Sequence, residues 1–257
     1  MNFKTIQTAL RRIEKAERIR ILYACESGSR AWGFPSADSD YDIRYIYVRS
    51  QDWYWAIDAG HRPDTLQEPI KGTLDVCGWD LRKTLGLLAK SNPSLMEWLG
   101  SPIVYRRNKA AHEGLRRLRK RYFDPIACAL HYRSMARSNY ESLIKDSPTA
   151  KRYLYVLRPL LAVEWLDRFH DIVPTLFDSL LERLLPGGPI RQAIDGLIAS
   201  KVTQKEKDSA PNPILNHFIE ERIKYDINPE SKGPRAARQN LTALNQFFRR
   251  IVERKTR

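Results

Sequence analysis

The chain changes character near residue 80, and that change restricts its fold more than any other feature. Before it lie three runs rich in β-branched, aromatic or leucine side chains, "RIRILYACE", "YDIRYIYVR" and "GTLDVCGW". Each has the composition of a strand. A helix over residues 5 to 18 precedes them, with Ile6, Leu10 and Ile13 on one side. From Asp80 onward the apolar residues keep mostly helical spacing, through "DLRKTLGLLAKS", "PSLMEWL", residues 106 to 121 and "PIACALHYRSMARSNYESLIK". Ser147-Pro148 then marks a helix start, a capping residue followed by proline at the first helical position, and this helix runs to about Phe169. Further helices are separated by "LPGGP", "SAPNP" and "NPESKGP". Strands first and helices later predict an α+β chain. Its first part is a small module over residues 1–105, a short mixed sheet with flanking helices, and an all-helical domain over 106–257 follows. At 257 residues and 42% hydrophobic content the chain can bury an ordinary core.

The net charge of +14 is concentrated. Residues 106–121 and 232–257 each carry eight Lys or Arg against one Glu, and together they account for the whole excess. In both, apolar residues recur at helical spacing: Ala111, Leu115, Leu118 and Tyr122 in the first, Leu241, Leu244, Phe248 and Ile251 in the second. Each reads as an amphipathic helix with a basic outer face. Two such stripes on an otherwise neutral chain exceed what solubility requires, so they predict contact with a polyanion, RNA or DNA, through Arg116, Arg117, Lys120, Arg249, Arg250 and Arg254. A merely solvated face is the alternative. No signal peptide or membrane span is visible, which predicts a soluble protein with no membrane partner. Cys25, Cys77 and Cys128 are odd in number and far apart, and read as buried thiols in a reducing cytoplasm. The five histidines show neither HExxH nor clustered spacing, which argues against a zinc or His-nucleophile enzyme.

Against this basic background, "GSRAWGFPSADSDYDIR" at 28–44 places Asp38, Asp40 and Asp42 at alternate positions. Like charges so close repel unless something neutralises them. On a strand Asp40 and Asp42 share a face, about 7 Å apart along the chain, with Tyr41 pointing the other way. The run then becomes apolar, so the pair sits at the mouth of a buried strand. A third carboxylate, Asp75, interrupts "TLDVCGW" and closes a cluster if that strand lies beside the first. Oxygen-only ligands of this kind select Mg²⁺ or Mn²⁺ over zinc. Gly28-Ser29 follows the first strand and opens a helix; glycine admits close backbone approach to a phosphate, and serine adds a hydroxyl. Arg30 and Arg44 flank the region as candidate phosphate partners.

"GS" followed after ten residues by "DYD", and then "LDV", resembles the signature of the DNA polymerase β-like nucleotidyltransferase superfamily. "ESGSRAWGFPSADSDYDIRYIY", "GWDLRK" and "NPSLMEWLGSPIVY" resemble its RNA-repair-associated, RlaP-like branch, over roughly residues 22 to 106, with a weaker match in "KRYLYVLRPLLA". The resemblance implies a polymerase-β-like nucleotidyltransferase module that transfers a nucleoside monophosphate from an NTP to a hydroxyl, by a two-metal mechanism. Asp40 and Asp42 would bind both ions and Asp75 the one that activates the acceptor, while Gly28 and Ser29 would hold the triphosphate. Lys151, Tyr155 and Arg158, spaced i, i+4, i+7, share one helical face. In relatives the helical domain often supplies a cation to the triphosphate and an aromatic ring to the base; the alternative is a core Tyr155 with solvated cations. Glu26 and Asp38 are close in sequence to the carboxylates but not at ligand positions, and are read as supporting or capping residues. Glu97 belongs to the family-like pattern without a physical role to assign. The expected acceptor is a nucleic acid end, RNA before DNA. AMP transfer to a partner protein and a non-catalytic nucleic-acid-binding module are the alternatives.

Overall fold

A computed structural model describes residues 3–70, 72–203, 211–224 and 240–253. Its sheet is built on β1 (Arg20–Glu26), buried at every residue but the first. A run with no polar alternation has to be covered on both faces. β1 pairs antiparallel with β2 (Tyr41–Val48), and β2 pairs parallel with β4 (Leu74–Asp80), in a register that sets Asp42 opposite Asp75. Two short edge strands complete it: β3 (Thr65–Gln67) on β4 and β5 (Val104–Arg107) on β1, both antiparallel, giving the order β3-β4-β2-β1-β5. Parallel neighbours need a crossover, and the segment with α3 (Gln51–Trp55) and β3 supplies it.

The two faces of the sheet bury different residues of the same strands. On one face Ile43, Tyr45 and Tyr47 of β2 pack with Ile6, Leu10 and Ile13 of α1 (Phe3–Glu17). Fully burying each such aliphatic side chain contributes about 1.5–3 kcal/mol. On the other face Ile46 and Val48 meet α4 (Leu81–Ala89), α5 (Pro93–Trp98), α6 (Lys109–Tyr122) and α12 (Thr242–Glu253). The helix expected to start at residue 106 starts instead at Lys109, capped by Asn108, whose side chain accepts from the Ala111 N–H at 3.1 Å; Arg106 and Arg107 belong to β5. In α12 the buried residues are Leu244, Phe247 and Ile251. Leu241 is exposed, and Phe248 is half-buried with its ring edge-on to Tyr54 at 5.0 Å. α12 seats on α6 at Gly114, where a Cβ would lie 2.2 Å from the Phe247 ring. The closeness of that contact explains a glycine that costs a helix interior about 1 kcal/mol.

Contacts divide the chain into two compact units. One comprises Met1–Gly28, Asp40–Phe123 and Arg238–Arg257; the other comprises Ser29–Ser39 and Asp124–Ala237. The sequence pattern cuts the chain once, after residue 105, whereas each compact unit draws on more than one segment. In the helical unit, α7 (Pro125–Lys145) is capped by Asp124, and four residues connect it to α8 (Ala150–Phe169). α9 (Phe177–Leu184), α10 (Pro189–Thr203) and α11 (Pro213–Lys224) follow. α8 is apolar nearly all round and buries fourteen of its twenty residues, as a central helix must. Its cap is Thr149, whose hydroxyl accepts from the Arg152 N–H at 3.2 Å, so the helix starts after Ser147-Pro148 rather than at it. The three cysteines are free; Cys25 and Cys128 are buried, while Cys77 is only half-buried. No described helix is long and apolar enough to cross a membrane.

Candidate active site

β2 and β4 bring two acidic residues of the sheet unit together. Asp42 and Asp75 are cross-strand partners, and Arg44, two residues along β2 on the same face as Asp42, reaches both. One Arg44 terminal nitrogen donates to Asp42 Oδ1 at 2.9 Å and to Asp75 Oδ2 at 2.6 Å. Gln67 of β3 donates to the other Asp75 oxygen at 2.8 Å. The Asp42 backbone is fixed as well: its N–H donates to Glu26 Oε1 at 2.7 Å, and its carbonyl accepts from the Ser27 N–H at 2.9 Å. Glu26 is fully buried and also accepts from the Tyr105 hydroxyl. It therefore acts as the support that orients Asp42. A Glu closing a buried strand was the signal available for this role.

The two carboxylates are pushed in opposite directions. Burial raises Asp42 above the ordinary carboxylate range; Arg44 opposes this, but the charges of Asp75 and Asp40 add to it. Burial also penalises Asp75, yet the hydrogen bond and charge of Arg44 prevail and hold it below that range. Arg44, despite its own burial, is raised by the same two acids. Asp40 is exposed and lies one residue before β2 rather than on it. It is nevertheless close enough to raise Asp42. Gly28 has φ of +59°, and a Cβ there would lie 2.2 Å from Asp42 Oδ2. The backbone at residue 28 thus runs directly against the carboxylate.

Among the described residues no three His, Cys, Asp or Glu side chains are arranged to hold a metal ion. The space between Asp42 and Asp75 is taken by the Arg44 guanidinium. The donor chemistry nonetheless fits a hard divalent cation, because the carboxylates offer only oxygen and already draw a positive group between them. Arg44, expected at a phosphate, is bonded to these acids instead.

The other predicted residues lie in the helical unit or on the basic helices. Ser29 is buried in α2 (Gly28–Trp32), and its hydroxyl is 3.3 Å from that of Ser39. Arg30 donates to the Ser39 carbonyl at 2.9 Å. On α8, Lys151 is exposed and Tyr155 half-buried, its ring edge-on to Trp32 at 5.1 Å. Arg158 is 1% exposed, stacks over Trp32 at 4.7 Å and donates to the Thr175 carbonyl at 3.2 Å. The three therefore do not share one exposed face. Arg116, Arg117 and Lys120 of α6 and Arg249 and Arg250 of α12 are all exposed. Arg254 lies outside the described residues. The two basic helices, far apart in sequence, pack against each other within the sheet unit.

The family model described as "RNA repair pathway DNA polymerase beta family" matches residues 3–250. Over 247 residues the chain is 41% identical to YcgL, an uncharacterized protein of Bacillus subtilis (strain 168), covering 95% of this chain and 94% of that one. Among solved structures, a nucleotidyltransferase-like protein from Exiguobacterium sibiricum 255-15 aligns with 98% of this chain and 81% of its own, at 10% identity and a TM-score of 0.31.

Proposed function

This chain belongs to the RNA repair pathway DNA polymerase beta family, and on that premise we propose that it is a cytoplasmic, divalent-metal-dependent enzyme transferring a nucleoside monophosphate from an NTP to a hydroxyl at an RNA end. The observation that carries the reading is the pairing of Asp42 with Asp75 across parallel strands, with a cation held between them. Asp40, Asp42 and Asp75 would hold Mg²⁺ or Mn²⁺. When bound, the metal lowers the pKa of the attacking hydroxyl and neutralises charge on the leaving pyrophosphate.

The protein's own residues supply the positioning. Glu26 and Ser27 fix the Asp42 main chain, so its carboxylate is presented in one orientation. Gln67 and Arg44 do the same for Asp75 from two sides. Gly28 leaves room beside Asp42 that no other residue would. Arg44 keeps the acid pair neutralised until substrate arrives, and its freed guanidinium then suits a triphosphate oxygen.

The test incubates the protein with each labelled NTP in turn, with Mg²⁺ or Mn²⁺, and with either total RNA or a protein extract. Label in RNA that requires the metal and disappears in Asp42→Asn supports the reading. Label in protein moves the acceptor to a polypeptide. No transfer with any NTP overturns it.

A further inference from the structure

We infer that the sheet unit carries a second, anion-binding site, separate from the carboxylates, which grips the backbone phosphates of the acceptor RNA. It is a cleft of about 640 Å³ where α1 meets the start of β1 and the end of β5. Five cations line it, Arg11, Lys15, Arg20, Arg106 and Arg107, against the single acid Glu14. That acid is already committed: it pairs with Arg106 and accepts from the Ile21 N–H at 2.8 Å. Arg20 is also anchored, donating to the Ile251 carbonyl at 2.7 Å. Arg11, Lys15 and Arg107 are exposed and form no ion pair among the described residues. Arg11 and Lys15, one helical turn apart, stand on the same side of α1. Uncompensated cations gathered around a concavity repel one another, and an anion seated among them relieves the repulsion.

Continuity of charge selects the RNA backbone as the occupant. Arg107 and Asn108 lead directly into α6, whose exposed face carries Arg116, Arg117 and Lys120. Through Ile251, Arg20 ties the cleft to α12, which presents Arg249 and Arg250. The cleft thus adjoins both basic helices, along the chain at Asn108 and through the Arg20 bond to Ile251, and this spread of cations suits a chain of phosphates better than a single small anion. β1 separates the cleft from the carboxylates. Arg20 opens the strand at the far end of the cleft, about 20 Å from Glu26 at roughly 3.3 Å per residue, while Arg107 and Arg106 pair with Tyr23 and Ala24 at its nearer end. The inference rests on the RNA-directed reading above: one site would hold the strand while the other acts on its end.

The test is Arg11→Gln/Lys15→Gln/Arg107→Gln, which spares the anchored Arg20 and Arg106. Affinity for single-stranded RNA of two unrelated sequences, and for inorganic polyphosphate, is measured against salt for wild type and variant, alongside nucleotidyl transfer by the wild type. The slope of log affinity against log salt should fall by about 0.7 for each phosphate left unneutralised, about 2 for the three substitutions together, alike for both sequences. NTP affinity should stay within twofold. Wild-type RNA binding with an unchanged slope in the variant overturns the cleft while leaving the transferase reading intact. Transfer to protein with no RNA binding overturns the cleft and the RNA acceptor while nucleotidyl transfer itself stands, and a preference for polyphosphate over RNA overturns the choice of occupant.

Discussion

Gly28→Ala probes the geometry beside Asp42 most directly. The residue has φ of +59°, where an L side chain costs about 1–2 kcal/mol. The new methyl would also stand 2.2 Å from Asp42 Oδ2, so the carboxylate has to move by more than an ångström. Glu26 and Ser27 fix the Asp42 main chain, leaving the side chain to give way. Its 2.9 Å bond to Arg44 would then break, a charged hydrogen bond worth about 1.5–3 kcal/mol. Together these predict a loss of about 4 kcal/mol, read in thermal melts as a fall of roughly 10 °C. In an Asp42→Ala background the clash vanishes, because the next atom, the residue-42 Cβ, is 3.6 Å from the added methyl. There Gly28→Ala should cost only the backbone share, about 1–2 kcal/mol. Chemical denaturation of the wild type, both single variants and the double variant gives the coupling, expected at roughly 2 kcal/mol. Equal costs of Gly28→Ala in both backgrounds would refute the steric argument.

Asp40→Asn/Asp42→Asn should abolish metal-dependent transfer while circular dichroism remains native, since removing like charges from the cluster relieves repulsion; normal turnover would reject these residues as metal ligands. Gly114→Ala should destabilise by about 1–3 kcal/mol despite its better helix propensity, because its methyl meets the Phe247 ring at 2.2 Å; a more stable variant in urea titration would contradict the described seating of α12 on α6. His112 stacks on Tyr23 at 5.0 Å and is held below its ordinary value of 6.5 by burial and by Arg116 and Arg107. Below that value the unfolded chain takes up the proton more readily, so stability is full above pH 6.5 and falls as pH drops beneath it. His112→Gln should flatten the fall of the melting temperature below about pH 6.5, and an unchanged profile would reject the assignment.

The main strands were legible because β1, β2 and β4 carry runs of β-branched, aromatic or leucine residues; the edge strands were not. β3 has three residues and β5 four, too short for any alternation to show, and the paired arginines of β5 read as the head of the basic helix that follows. Ser147-Pro148 outranks Thr149 as a cap in the sequence because local signals two residues apart are nearly equivalent, and tertiary packing decides between them. Phe247 and Phe248 are adjacent on the helix, and only the glycine facing them on α6 selects the first. At the site, Asp75 could be proposed as a neighbour of Asp42 from its place in a strand, but the register was invisible. The role of Glu26 depends on a hydrogen bond across two strands, and that of Arg44 on an acid 31 positions away. Neither leaves a mark in local spacing.

The return of α12 to the sheet has a consequence for how the protein is made. Leu115, Leu118 and Ala111 are shielded in part by residues 242–253, which are synthesised long after α6. At roughly 5–20 residues per second, a lag on the order of ten seconds separates the synthesis of α6 from that of the helix that covers it. During that interval the growing chain carries an apolar, arginine-rimmed groove that a chaperone can occupy. A transcript cut short after Phe123 would leave the groove open for good, making such a fragment prone to self-association however well its strands are paired.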